Sequence, residues 1–532
     1  MKKLKITLAF GLILMLGACD VDYLDNPNAP SIAPTSSLFN NNVKRMMDAT
    51  TDMWWSGRFT YVTMQYWQQT EYGDEDRYVY RESQRQYQNA FYEIAENYRE
   101  IMRINTDPNS SGPAEASGAN VNQIATCRVL LAYVFDVMAT SWGDIPYYSY
   151  GNDDPDFQAL ALSGSDDPNI TPAYATQDKI FADILKELDE AHDQFDEDLP
   201  GMDADRIYGG DVAAWKTFAN SLRLRIAHRI EGKDAGLAGP HITDALAQGV
   251  IASNADNAMF MYETSDANSA RPYNAWYVGN RSDFAVSHSF VQLLLGNDMV
   301  DSTHAALPAG AGTNPFLDLE DPRLPIYAQP NKNGDYVGMF ISVSSAASAT
   351  FTIESLPGTA IIEKPDFSET LMDYAEVAFI MSERAGWGQT EYEAGIAASM
   401  EKWGVAEADV ATYLGAVPAA SEENVLTQKY IAMYMQGQQS WCEYRRTGYP
   451  KTLIPVNSSY AVEDPSWDQV DPVAPQWSNQ VFIPLVAEVT ELSSRMRYPQ
   501  QEQTLNGDNR KVAVDALSHG DVIYSKLWWH TR

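Results

Sequence analysis

The chain has 532 residues, 72 of them acidic and 37 basic, with a formal net charge of −35 at pH 7. So acidic a surface excludes nucleic acid as a partner, because phosphate contacts demand clustered Lys and Arg. Beyond Cys19 only Cys127 and Cys442 remain, which excludes a disulfide scaffold and any spaced Cys/His zinc site.

Residues 1–18 carry three lysines followed by an apolar run, and the segment closes as Leu16-Gly17-Ala18-Cys19. This predicts a lipoprotein signal peptide, with Cys19 as the lipidated first residue of the mature chain. The run is too short to span a bilayer, so acyl chains would tether a body with no comparable later segment. Residues 19–37 combine the lipidated cysteine with a Pro-rich polar linker.

A helix is predicted from Leu38 through Trp55 and beyond, with Trp54, Trp55 and the later Trp441 assigned to packing. The next stretch interleaves aromatics with Gln, Asp and Arg: Trp67, Tyr72, Asp74 and Tyr78 stand with Gln68 and Arg77. Flat rings that cover sugar C–H faces, with polar tips that meet hydroxyls, suit an oligosaccharide or peptide platform; the polar-tipped side of a helical core is the competing reading. Tyr87, Phe91, Ile94, Tyr98 and Ile101 then recur at helical spacing. A long helix follows that contains Cys127 and ends at Trp142-Gly143-Asp144-Ile145-Pro146-Tyr147, where Gly and Pro break it.

The acidic cluster Asp153, Asp154, Asp156, Asp166 and Asp167 offers oxygen ligands for a structural calcium ion. It lacks the glycine and closing glutamate of an EF-hand, so a solvated loop competes. No other cofactor is expected. Two amphipathic helices, TPAYATQDKIFADILKELDEAHDQF and GDVAAWKTFANSLRLRIAHRI, form a pair, as do Leu371–Gly386 and Glu391–Trp403. Between about Phe260 and Gly358 the chain reads as loops with short β-like runs. Arg271, Tyr273, Asn274, Trp276 and Tyr277 crowd into that region without an evident helical stripe, which makes them the second candidate binding group.

From Ser421 to Pro450 one helix is predicted. Leu426, Tyr430, Tyr434, Gly437, Trp441 and Tyr444 recur at steps of three and four. Ser421 serves as N-cap, Gly448 takes the left-handed C′ position and Pro450 forbids continuation. Gly437 inside a helix costs roughly 1 kcal/mol against Ala, which predicts close approach of another helix. Cys127 and Cys442 both fall in helices and read as small buried residues, with a single pairing between them left open.

Enzyme signatures are absent: there is no G-x-S-x-G elbow, H-E-x-x-H, P-loop or dinucleotide fingerprint. Seven histidines are scattered, and carboxylates are too numerous for counting to exclude glycosidase chemistry.

The segment Ser421–Pro450 resembles the C-terminal signature of the SusD/RagB family of nutrient-binding outer-membrane lipoproteins. Four further stretches resemble that family's pattern: WGDIPY, with Tyr148 intruding before Ser149; the helix from Thr171, with Ala175 where the family often has an acidic residue; DYAEVAFIMSERAGWG, with Ser382 at a position usually held by a smaller residue; and RMRYPQQEQTLN. Together they span the mature chain, so one domain over 38–532 is expected, where length alone would suggest about three. The resemblance implies a mainly α, SusD-like fold with tetratricopeptide-like helix pairs and a loop-rich region with short strands. It also implies a cell-surface lipoprotein of the outer membrane that passes an oligosaccharide or peptide to a SusC-like TonB-dependent transporter, with Asp20, Asp22 and Asp25 resembling a surface-export signal. The alternatives are a lipid-anchored glycoside hydrolase or peptidase and a non-binding helical adaptor.

Overall fold

The computed structural model describes residues 33–80, 83–160, 169–299, 307, 310–342, 354–463 and 477–531. Cys19, the acidic residues after it and most of the linker lie outside them, as do Asp166 and Asp167.

Helix α1 (Thr35–Thr51) ends at Asp52, whose carboxylate accepts from the amides of Trp54 and Trp55. Capped there, the chain starts again as a wider, π-helical segment, Met53–Thr60. The single helix predicted through Trp55 is therefore two segments hinged at Asp52. Strand β1 (Trp67–Gln69) follows, then α2 (Glu93–Thr106) and α3 (Asn120–Trp142). Helix α3 is apolar on every face and almost wholly buried, as expected of a central core helix. It is long and apolar enough to cross a membrane, yet its whole apolar window is covered by protein.

Around it pack α4 (Gln177–Gln194), α5 (Val212–Ile230) and α6 (Ala235–Gln248), each against its neighbour in the chain. Asp211 and Asp234 cap α5 and α6 through side-chain bonds to backbone amides. Buried arginines tie the layers together. Arg128 of α3 holds Glu187 and Glu190 of α4, and Arg229 of α5 holds Asp136 of α3 at 2.5 Å.

Strand β2 (Ala258–Met261), a helical turn over Arg271–Val278, β3 (Phe284–Val286) and α7 (His288–Leu295) occupy the region expected to be loops. Strand β4 (Ser368–Met372) leads to α8 (Tyr374–Arg384), α9 (Gln389–Lys402) and α10 (Glu407–Ala416), which with α11 (Glu422–Ala432) enclose a second, smaller core around Phe379, Tyr392 and Ile396. Helix α12 (Gly437–Thr447) and a β5 (Ser459–Glu463) and β6 (Trp477–Val481) pair follow, before α13 (Gly507–Asp515). The described strands form antiparallel pairs, β1 with β3, β2 with β4 and β5 with β6. The fold is thus mainly α with minor sheets.

The one helix expected over Ser421–Pro450 is also two. The chain breaks at Met433–Gln436, where Met435 adopts φ +68° and its carbonyl accepts from the Tyr61 hydroxyl at 3.0 Å. Gly437 opens α12 instead of sitting mid-helix. Its close approach is real: a Cβ there would stand 2.4 Å from Thr60 Oγ1 and 2.6 Å from the Tyr61 ring. The outer caps match the sequence, with Ser421 accepting from the Asn424 amide and Gly448 left-handed at φ +73°.

Cys127 and Cys442 are both buried and free. Asp154 and Asp156 of the acidic cluster both accept from Lys179 Nζ, at 3.3 and 2.5 Å, while Asp153 is exposed.

Candidate functional site

The hinge at Asp52 sets two adjacent tryptophans facing opposite ways. Successive residues of a helical segment lie about 100° apart, so the two rings cannot share a surface. Trp55 is buried and stacks on Trp142 with centroids 5.2 Å apart, whereas Trp54 is 40% exposed. One helical turn on, Arg58 brings its guanidinium 5.0 Å from the Trp54 ring and 5.5 Å from that of Tyr72, itself 51% exposed. On the other side Arg281 lies 5.3 Å from Tyr72. Aromatic and guanidinium planes therefore alternate in the order Trp54, Arg58, Tyr72, Arg281, each cation gaining from the negative face of a ring.

The row is held from behind. Arg58 is buried and paired to Asp283 at 2.6 Å and Glu75 at 3.3 Å, and Arg281 reaches the same Asp283 at 2.5 Å. Asp283 is fixed because it adjoins β3, whose Phe284 pairs with Gln69 of β1. Tyr72 sits in the left-handed region at φ +58°, a conformation uncommon for a side-chain-bearing residue.

Trp54, Arg58, Arg281 and Phe284, with Asp52, Arg85, Arg271 and Asn274, line an open cleft of about 200 Å³. Two adjoining depressions share Arg85, and one of them also shares Asp52 and Arg271. Burial pushes the Asp52 carboxyl up to about 6, against the pull of the Trp55 and Trp54 amides and of the Arg85 and Arg271 charges. Asp76, beneath the wall, is pushed up to about 7 by burial despite the bond from the Gln69 amide at 2.8 Å.

Among the sequence candidates, Arg271 and Asn274 reach this cleft and Tyr72 stands beside two residues that line it. The others go elsewhere. Trp67 is fully buried, its indole N–H donating to the Tyr434 hydroxyl at 2.7 Å. It is a core residue and does not line the cleft. Trp276 is half-buried behind the cleft, its ring 5.9 Å from Trp67 and 6.2 Å from Phe284. Asp74 is exposed, pairs with Arg77 at 3.1 Å and does not line the cleft. Tyr273 and Tyr277 stack at 5.3 Å on the outer face of their helical turn, and the Tyr277 hydroxyl donates to Glu363 at 2.9 Å. Their spacing of four is the helical signal that the loop assignment overlooked.

Sequence reasoning missed Trp54, Arg58, Arg85 and Arg281. The signal was present in Trp54-Trp55 followed by Arg58: adjacent rings on a helix point in different directions, and Arg58 lies four residues on, over Trp54.

The carboxylates of the cleft are committed. Asp52 caps the backbone, Asp283 binds two arginines, and Glu75 accepts from Arg58 and from Gln69 Nε2 at 2.8 Å. The arrangement can present ring faces and fixed hydrogen-bond donors to a ligand. Among the described residues, Asp52, Asp283 and Glu75 are each already hydrogen-bonded or ion-paired.

Comparison with known proteins agrees with this architecture. Residues 27–466 match the SusD-like family described as starch-binding and associating with the outer membrane. A chitin-binding SusD homologue from Flavobacterium johnsoniae superposes with TM-score 0.68 at 20% identity, over 93% of this chain and 98% of its own. SusD homologues from Parabacteroides distasonis (TM-score 0.70, 20% identity, 93% and 97% covered) and Bacteroides uniformis (0.69, 21%, 94% and 99%) share the fold. No curated protein matches the chain.

Proposed function

The chain belongs to the SusD-like family of starch-binding proteins that associate with the outer membrane, and from that premise we propose that it is a surface receptor for an oligosaccharide, anchored by lipid on Cys19. It binds without bond-making chemistry and passes its ligand to a SusC-like TonB-dependent transporter. The observation that carries this reading is the row Trp54, Arg58, Tyr72, Arg281 beside an open cleft. Exposed rings cover the apolar faces of pyranoses, and guanidiniums and amides held in place meet their hydroxyls. The chitin-binding description of a structural relative supports a glycan over a peptide.

Calorimetric titration of residues 20–532 against oligosaccharides and peptides tests it. Saturable glycan binding without turnover, lost in a folded Trp54→Ala variant, is the expected result. Turnover that disappears on replacing one carboxylate would instead establish a hydrolase.

A further inference from the structure

The chain as a whole is strongly acidic, with 72 carboxylate residues against 37 basic ones, yet the cleft and the depressions beside it are walled by Arg45, Arg58, Arg85, Arg271 and Arg281. Three of these are accounted for: Arg45 pairs with Glu93, and Arg58 and Arg281 share Asp283. Arg85 and Arg271 are different. Arg85 is exposed, lines all three depressions and has no ion-pair partner among the described residues. Arg271 has only a 3.6 Å ionic contact to Asp48, whose oxygens already accept from Lys44 at 2.8 Å and from the Tyr262 hydroxyl at 3.0 Å. The remaining acid nearby, Asp52, is buried, and its Oδ1 accepts from the amides of Trp54 and Trp55; the charges of Arg85 and Arg271 act on it without closing an ion pair among the described residues.

Among the described residues, two guanidiniums without a close ion-pair partner therefore flank one exposed tryptophan in a strongly acidic protein. Resting on the receptor reading above, we infer that the ligand is an anionic oligosaccharide, one bearing a carboxylate or sulfate group that Arg85 and Arg271 receive while Trp54 covers the ring face. The guanidinium fork matches both groups in geometry and charge. The net negative charge of the chain disfavours an anion on average, so the arginine-walled cleft is a favourable point of entry.

The test compares a galacturonate hexasaccharide with its methyl ester, which keeps the rings and removes the charge. A chondroitin-sulfate hexasaccharide serves as the sulfate arm, and maltohexaose and chitohexaose serve as uncharged controls. An acidic ligand is expected to bind at least about tenfold more tightly than the uncharged sugars, with the preference shrinking in high salt. Arg85→Gln should abolish the preference while the thermal melt is unchanged. The sulfate and carboxylate arms separate the two sources of charge. Tight, Trp54-dependent binding of neutral sugars with no gain from charge would overturn the anionic assignment and leave the receptor reading intact. Silence toward every oligosaccharide would overturn both. Preference retained in Arg85→Gln and in Arg271→Gln would also overturn the assignment, because the charge would then be read elsewhere.

Discussion

Trp54 and Trp55 are consecutive, yet one leaves 40% of its surface open beside the cleft and the other stacks on Trp142 with 1% exposed. Replacing them separates function from stability. Trp54→Ala removes a ring that is 40% exposed and opens no enclosed core cavity, so it should change unfolding free energy by about 1 kcal/mol while removing glycan binding. Trp55→Ala opens a cavity in the core and should cost about 3–5 kcal/mol. Urea unfolding beside calorimetric titration reads both. Loss of stability in the Trp54 variant comparable to that in the Trp55 variant would mean that Trp54 packs and does not bind.

Arg58 is the keystone of the wall, because it lies over the Trp54 and Tyr72 rings while neutralising Asp283 and Glu75. Arg58→Met leaves two largely buried carboxylates facing a methionine, and removing one partner of a buried ionic cluster costs about 3–5 kcal/mol. Arg58→Lys keeps the charge and loses the planar fork that bridges Asp283 and Glu75 beneath the two rings. The lysine variant should therefore fold and bind more weakly, with the difference read by titration at matched fraction folded.

How much of this was legible in the chain follows from what each signal depends on. Caps are local, so Ser421 and Gly448 were found where the structure has them. The break at Met435 depends on Tyr61, which is far away in sequence, and periodicity ran straight through it. The site divided in the same way. The aromatic-rich stretches lead to the surroundings of the cleft, which Arg271 and Asn274 line and Tyr72 adjoins. Composition could not say that Trp67, paired through β1 to β3, faces inward to Tyr434, nor that the hinge at Asp52 turns Trp54 outward.

Gly437 allows a test in which local propensity and packing give opposite signs. On propensity alone, Ala at the start of α12 should gain up to about 1 kcal/mol. Contact predicts the reverse, since the new Cβ would lie 2.4 Å from Thr60 Oγ1 and 2.6 Å from a buried ring. Overpacking of this kind costs about 1–3 kcal/mol, so Gly437→Ala should lower the denaturant midpoint at unchanged slope. A raised midpoint would show that the contact relaxes without cost.

Glu369 makes the last prediction, a pH dependence. It lies in β4 opposite Phe260, is 1% exposed, and its Oε1 has no hydrogen-bond partner. Burial pushes its carboxyl up to about 8 and the nearby Asp48 charge pushes the same way, against the pull of Lys402, whose ammonium is already taken by Asp373 at 2.5 Å. The folded protein thus holds this proton more tightly than the unfolded chain, where the usual value is 4.5. The contribution is fully present below that ordinary value and is lost as pH rises through about 8. His288, pushed down to about 4 by burial, works the other way, but its effect ends once the unfolded histidine is neutral, near its ordinary 6.5. Asp76, pushed up to about 7, is largely ionised above that pH. From neutrality upward Glu369 therefore dominates among these three groups. Unfolding free energy should fall by about 1 kcal/mol per pH unit until the group ionises in the folded state. Glu369→Gln keeps the shape and removes the titration, so its stability should run nearly flat over the same interval. Parallel curves for the two proteins in urea would show that Glu369 is ionised in the folded state at neutrality, with its charge balanced by Lys402.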